Sequence, residues 1–135
     1  MKYMLLINSK PETWKDLTTW SPREVTTMTD YMSALIKELE DTGEYIGGEG
    51  LGGPAFMKVV RGQSSGDPLV TDGPMAEAKE FLAGYMAVDV ASEERAIEIA
   101  ARISSAPGKD GVSQYGPIEV HPIKSDNFDF LEAYK

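Results

Sequence analysis

Apolar and polar positions change period several times along the chain, and each change marks an element. Residues 2–8 put Tyr3, Leu5 and Ile7 on one side of an extended segment and Met4 and Leu6 on the other. Apolar residues on both sides predict a central strand covered on two faces. Residues 9–20 turn polar around Trp14 and Trp20 and read as a loop or a short turn of helix. Ser21, Pro22 and Glu24 then form a helix start: a capping hydroxyl, a proline suited to the first turn, and a glutamate that completes a capping box. Val25, Met28, Met32, Leu35 and Leu39 follow at helical spacing, and Gly43 is available for the left-handed cap.

Residues 44–49 predict a second strand, weakened by Gly47 and Gly48, where glycine marks a bulge or a close backbone approach. A loop at residues 50–54 leads to a third strand over residues 55–61, and residues 69–71 return against it as a hairpin. A further strand is expected over residues 85–90. Ser92 then caps a helix with Glu93 and Glu94 in its first turn and Ile97, Ala100 and Ile103 as its buried stripe. Residues 104–116 are loop, and residues 118–123 form a last strand that Pro122 assigns to a sheet edge. Strand, helix, strand, hairpin, strand, helix, strand is the order of an α+β sandwich of the ferredoxin-like βαββαβ type with an inserted hairpin. Two helices cover one face of such a sheet. Because the central strand is apolar on both, a second copy of the chain is the simplest cover for the other.

Composition narrows the function classes. The chain has 135 residues, enough for one domain, which is taken as residues 1–124 followed by an acidic tail, 125–135, that carries Phe128, Phe130, Leu131 and Tyr134. Acidic residues number 22 against 13 basic ones, a net charge of −9, so neither nucleic acid nor an anionic membrane is an expected partner. Cysteine is absent, which removes disulfides, thiolate nucleophiles and cysteine-based metal sites. The opening apolar run is too short for a signal segment or a membrane span, so a cytoplasmic location is expected. No cofactor is expected: the glycines at 47–53 lack the Lys-Ser or Lys-Thr ending of a phosphate loop, and one histidine is too few for a dedicated zinc site.

The most informative stretch is residues 71–80, Thr-Asp-Gly-Pro-Met-Ala-Glu-Ala-Lys-Glu. A turn needs Asp72, Gly73 and Pro74, but it does not need Glu77, Lys79 and Glu80 as well. Asp72 is a candidate catalytic carboxylate or the acceptor that fixes the bend. Glu77 and Lys79 share one side if extended, and a lysine beside carboxylates can hold a ligand or tune a neighbour. Glu49 sits in a glycine-rich bend where backbone can approach a ligand. His121 is the only histidine, and strand alternation puts it on the same side as Glu119 and Ile123. Asp72 and His121 are the candidate catalytic residues. Glu49, Glu77, Lys79 and Glu119 are the candidate ligand-binding ones.

With these motifs in view, the chain resembles the YCII-related family, and in particular its DGPF branch. The resemblance rests on residues 2–7, on Gly48-Glu49-Gly50-Leu51, on Thr71-Asp72-Gly73-Pro74 with Met75 in place of the branch's Phe, on residues 76–80, and on Glu119-Val120-His121-Pro122-Ile123. It implies a homodimeric α/β barrel, in which two sheets face each other around pockets; if Ile118 and Val120 face the helices, Glu119 and His121 face that cavity. It also implies a His–Asp acid/base pair in the family's smaller members, and the function expected of this chain is small-molecule binding at the dimer interface with acid/base chemistry of the isomerase or lyase type. The smaller members' His–Asp pair is not carried over. Its histidine belongs on the first long helix, at or near Met32, and that helix contains none. A non-catalytic metabolite sensor or interaction module is the alternative, and the aromatic tail is a candidate docking segment.

Overall fold

The computed structural model describes residues 1–73 and 79–124. Its elements are β1 (Lys2–Ser9), α1 (Pro11–Leu17), α2 (Pro22–Asp41), β2 (Tyr45–Gly50), β3 (Lys58–Arg61), β4 (Leu69–Asp72), β5 (Phe81–Asp89), α3 (Glu93–Ser104) and β6 (Ile118–Pro122). Four strands form an antiparallel sheet in the order β2-β5-β1-β6, and β3 and β4 pair separately as a hairpin. This α+β arrangement is compatible with a ferredoxin-like fold. The strand that is apolar on both sides, β1, lies inside the sheet, and the proline-bearing β6 lies at its edge. No helix among the described residues is long and apolar enough to cross a membrane.

Strand alternation sorts the sheet into two faces. Tyr3 and Leu5 of β1 join Met86 and Val88 of β5 and Val120 of β6 against α2 and α3. Leu35 and Leu39 of α2 and Ala96, Ile99, Ala100 and Ile103 of α3 complete this core. Spacing in α3 is i, i+3, i+4, i+7 from Ala96, so the buried stripe is one position out of phase with the expected one. Ala100 and Ile103 belong to it, but Ile97 is 53% exposed. The alanine at 96 lets the helix approach the sheet closely, and Ile97, about 100° further round, points away. Val25, in the first turn of α2, is likewise exposed.

The start of α2 is as its sequence predicts. The Glu24 amide donates to Ser21 Oγ at 3.2 Å, and the Ser21 amide donates to Glu24 Oε1 at 2.8 Å. The other Glu24 oxygen accepts from the Asp110 amide, and these amides, Asp110's first, hold the carboxyl below its ordinary range. Residues 11–17 take the helical of the two alternatives, and their Trp14 meets Phe81 edge to face at 5.5 Å. Two later boundaries differ from expectation. Residues 54–56 are a 3-10 turn in place of the start of a strand. Gly53 at φ 94° turns the chain into it, and Met57 and Phe56 donate to the carbonyls three residues back. β5 begins at Phe81, four residues early.

A two-point ion pair ties the helical layer together. Arg95 Nε and Nη2 donate to Glu44 Oε2 and Oε1 at 2.9 and 3.0 Å, joining α3 to the turn before β2. Hydrogen bonding to Arg95 holds the Glu44 carboxyl below its ordinary value. A depressed carboxylate stabilises the fold fully above that ordinary value, pH 4.5, and loses the contribution as pH falls through the folded value. Glu44→Gln is therefore expected to cost about 2 kcal/mol at neutral pH. The melting temperature should fall by roughly 6–10 °C. Acid unfolding scans of the variant should also show a shallower loss of stability below pH 4.5 than the parent. Equal slopes would remove the pair from the account.

Candidate functional site on the open face of the sheet

Among the described residues, no helix of the core layer packs on the other face of the sheet. Register places two rows of side chains across its four strands. One row is Gly47, Ala87, Met4 and His121, and the next is Glu49, Tyr85, Leu6 and Glu119. Met4, Leu6, Tyr85 and Ala87 form an apolar floor on the two inner strands. Glu49 stands on the β2 edge, and Glu119 and His121 stand on the β6 edge. Neighbouring strands are about 4.8 Å apart, so the two carboxylate-bearing edges lie roughly 14 Å from each other.

The polar groups on the β6 edge are joined. Glu119 Oε1 lies 2.8 Å from His121 Nε2, and Glu119 Oε2 accepts from Asn8 Nδ2 of the adjacent strand. Glu119 and His121 are two positions apart on one strand and so point the same way, while Asn8 shares the face as the next outward residue of β1 after Leu6. Side chains of Glu119 and His121 are 51% and 52% exposed, so a ligand can reach them. An ionised carboxylate only accepts, which makes Nε2 the protonated nitrogen of the neutral ring and leaves Nδ1 with a free lone pair. The arrangement can take up a proton at Nδ1, with Glu119 facing the charge that forms.

Other candidates fall elsewhere. Asp72 ends β4 and is ion-paired across the hairpin with Lys58, whose hydrogen bond keeps the carboxyl below its ordinary range. Its carboxylate is therefore charged and occupied by a cation, and among the described residues no contact joins it to His121. The bend it was expected to fix continues into residues 74–78, which lie outside the described residues, as does Glu77. Lys79 lines a shallow depression with Lys10, Pro11, Glu12 and Glu80, where β1 ends and β5 begins. A second depression, at the start of α2, is lined by Ser21, Arg23, Glu24, Thr27, Gly108, Asp110 and Gly111. Both are open and neither contains His121, so the sheet face is the stronger candidate. Among the described residues no three His, Asp or Glu side chains converge to hold a metal ion.

Sequence reading paired Glu119 with His121 through alternation but assigned Glu119 to ligand binding. The structure makes it the partner of the imidazole. Asn8 was missed, because its role depends on the pairing of β1 with a strand 111 positions away. The one available signal was a polar residue closing the otherwise apolar Met4–Leu6 side.

A layered α+β domain with a hydrogen-bonded His–Glu pair on the sheet face opposite its core helices is the class that the fold and site define. The chain belongs to the YCII-related domain family, whose profile matches residues 1–119. It is also 28% identical over 102 residues to an uncharacterized protein of Rhizobium meliloti (strain 1021), a match that spans 76% of this chain and 82% of that protein.

Proposed function

We propose that the protein binds a small organic molecule on the open face of its sheet and moves a proton on it. In this reading a second copy packs its own open face opposite, giving a dimeric α/β barrel with the ligand between the sheets. The apolar floor of Met4, Leu6, Tyr85 and Ala87 carries the body of the ligand. His121 Nδ1 takes a proton from an acidic O–H, N–H or activated C–H, the electron pair stays on the ligand, and the proton returns at another atom. Return at a different carbon is an isomerisation, and expulsion of a leaving group by that electron pair is a lyase step. The observation that carries the reading is the Asn8–Glu119–His121 hydrogen-bonded chain beside that floor.

The test uses the purified protein and a small-molecule extract of its host, followed by mass spectrometry. Wild type is expected to convert at least one component. His121→Gln should slow that conversion by about 100-fold or more. Asp72→Asn, which breaks an exposed pair on the hairpin, should change it by no more than about twofold. Equal rates for wild type and His121→Gln would overturn the acid/base role.

A non-catalytic reading has its own support. The hairpin and the turn before it expose Phe56, Val60, Leu69 and Val70, with Phe56 at 81%, and such a surface suits a protein contact. An extract with no converted component would favour that reading.

A further inference from the structure

The proton chemistry proposed for the open face leaves open which molecules it admits, and the same three residues carry an answer. We propose that Asn8 is a positioning residue that holds Glu119 on His121 Nε2, and that the face consequently takes an uncharged ligand bearing a proton donor and turns anions away. This inference rests on the reading of the open face as the site.

Both Glu119 oxygens are engaged, one by the Asn8 amide and one by the ring. An unclamped glutamate at a half-exposed edge position would sample several rotamers, and the ring would then turn with it. With Oε2 held from the neighbouring strand, Oε1 stays in line with Nε2 and the ring presents one atom, Nδ1. That atom is a hydrogen-bond acceptor while the ring is neutral, so the group best suited to it is a donor. Electrostatics point the same way. In the two rows that form the floor, the charged groups besides the ring are Glu49 and Glu119, one on each edge, and neither has a cation among its described contacts. Lys2 is the next residue of β1 on this face after Met4, one position outside the two rows, with Asp89 opposite it on β5. A ligand carboxylate on the floor would face like charges from both edges, and in the proposed dimer, where the second sheet closes the site to water, that repulsion is strengthened. A hydroxyl or other neutral donor meets no such penalty.

One histidine gives one imidazole spectrum, so the full-length protein labelled with nitrogen-15 supplies the test. With the ring neutral, wild type is expected to show the Nε2–H tautomer almost alone. Asn8→Ala should lower the ratio of Nε2–H to Nδ1–H by about fivefold, the equilibrium equivalent of one hydrogen bond. Asn8 is a partly exposed strand residue outside the core, so the variant should fold, and a retained amide spectrum checks that it has. Phenol and benzoate then serve as neutral and anionic probes of similar shape. Phenol is expected to shift the His121 and Met4 signals with a dissociation constant about tenfold or more below that of benzoate. A wild-type tautomer ratio equal to that of an unconstrained histidine side chain, or a ratio unchanged in Asn8→Ala, would overturn the positioning role. Benzoate binding as tightly as phenol would overturn the ligand class. Failure here with extract conversion still lost in His121→Gln would remove only this inference. A single tautomer without any conversion would remove only the catalytic reading.

Discussion

Leu6→Glu is expected to turn the proposed dimer of facing sheets into a monomer at micromolar concentration. Leu6 holds the middle of the floor, opposite Tyr85 on one side and Glu119 on the other. In a single chain it is partly exposed, so the added carboxylate stays in water and the fold survives. In a dimer of facing sheets the same carboxylate is buried without a partner and lies next to Glu119. An unpaired buried charge costs about 3–5 kcal/mol, which raises the dissociation constant by roughly 100-fold to 1,000-fold or more. Light scattering after size-exclusion chromatography reads the outcome, and far-UV circular dichroism checks folding. A variant that remains a dimer would place the contact between copies elsewhere, for instance on the exposed hairpin. Conversion of the extract component should be lost with the dimer, since the ligand would lose the second wall of its site.

The second large effect belongs to the edge of the same sheet. A side chain at Gly48 is expected to unpair β2 from β5. A Cβ built there would lie 2.6 Å from the Tyr85 carbonyl oxygen and 3.1 Å from the Met86 Cα. Both are backbone atoms of a buried strand, so nothing flexible can yield. Gly48→Val should cost about 3 kcal/mol. It should lower the melting temperature by roughly 10–15 °C. Gly47 is the built-in comparison: a Cβ at that position meets nothing within 4 Å. Gly47→Ala should stay within about 1 kcal/mol of the parent. Similar losses at both positions would mean that strand propensity, and not the close approach, explains the glycines. The consequence reaches function through Glu49, which β2 carries to the rim of the floor.

The layer order and the central position of β1 were legible because burial on two faces leaves a doubly apolar strand, and Pro122 marked the edge because it cannot donate to a neighbour. The Ser21–Glu24 cap was legible because its chemistry is local. Phase was harder. Ile97 looks like core by hydropathy, yet Ala96 takes the inward position because the helix packs closely there, and closeness to a sheet is not written in a single helix. The hairpin was seen, but its consequence was not drawn: residue 58 opposes residue 72, which makes Lys58 the ion-pair partner of Asp72. The candidate site was half legible. Alternation gave Glu119 and His121 a common face, whereas Asn8 needed the register of β1 against β6, which only the folded sheet supplies.

The most direct measurement is a crystal structure of the protein as purified from its host. The account predicts two copies with their open faces opposed and a small molecule on Met4, Leu6 and Tyr85, with a donor atom within hydrogen-bond reach of His121 Nδ1. An open face packed solid by the side chains of another copy, with the imidazole turned away from Glu119, would contradict it.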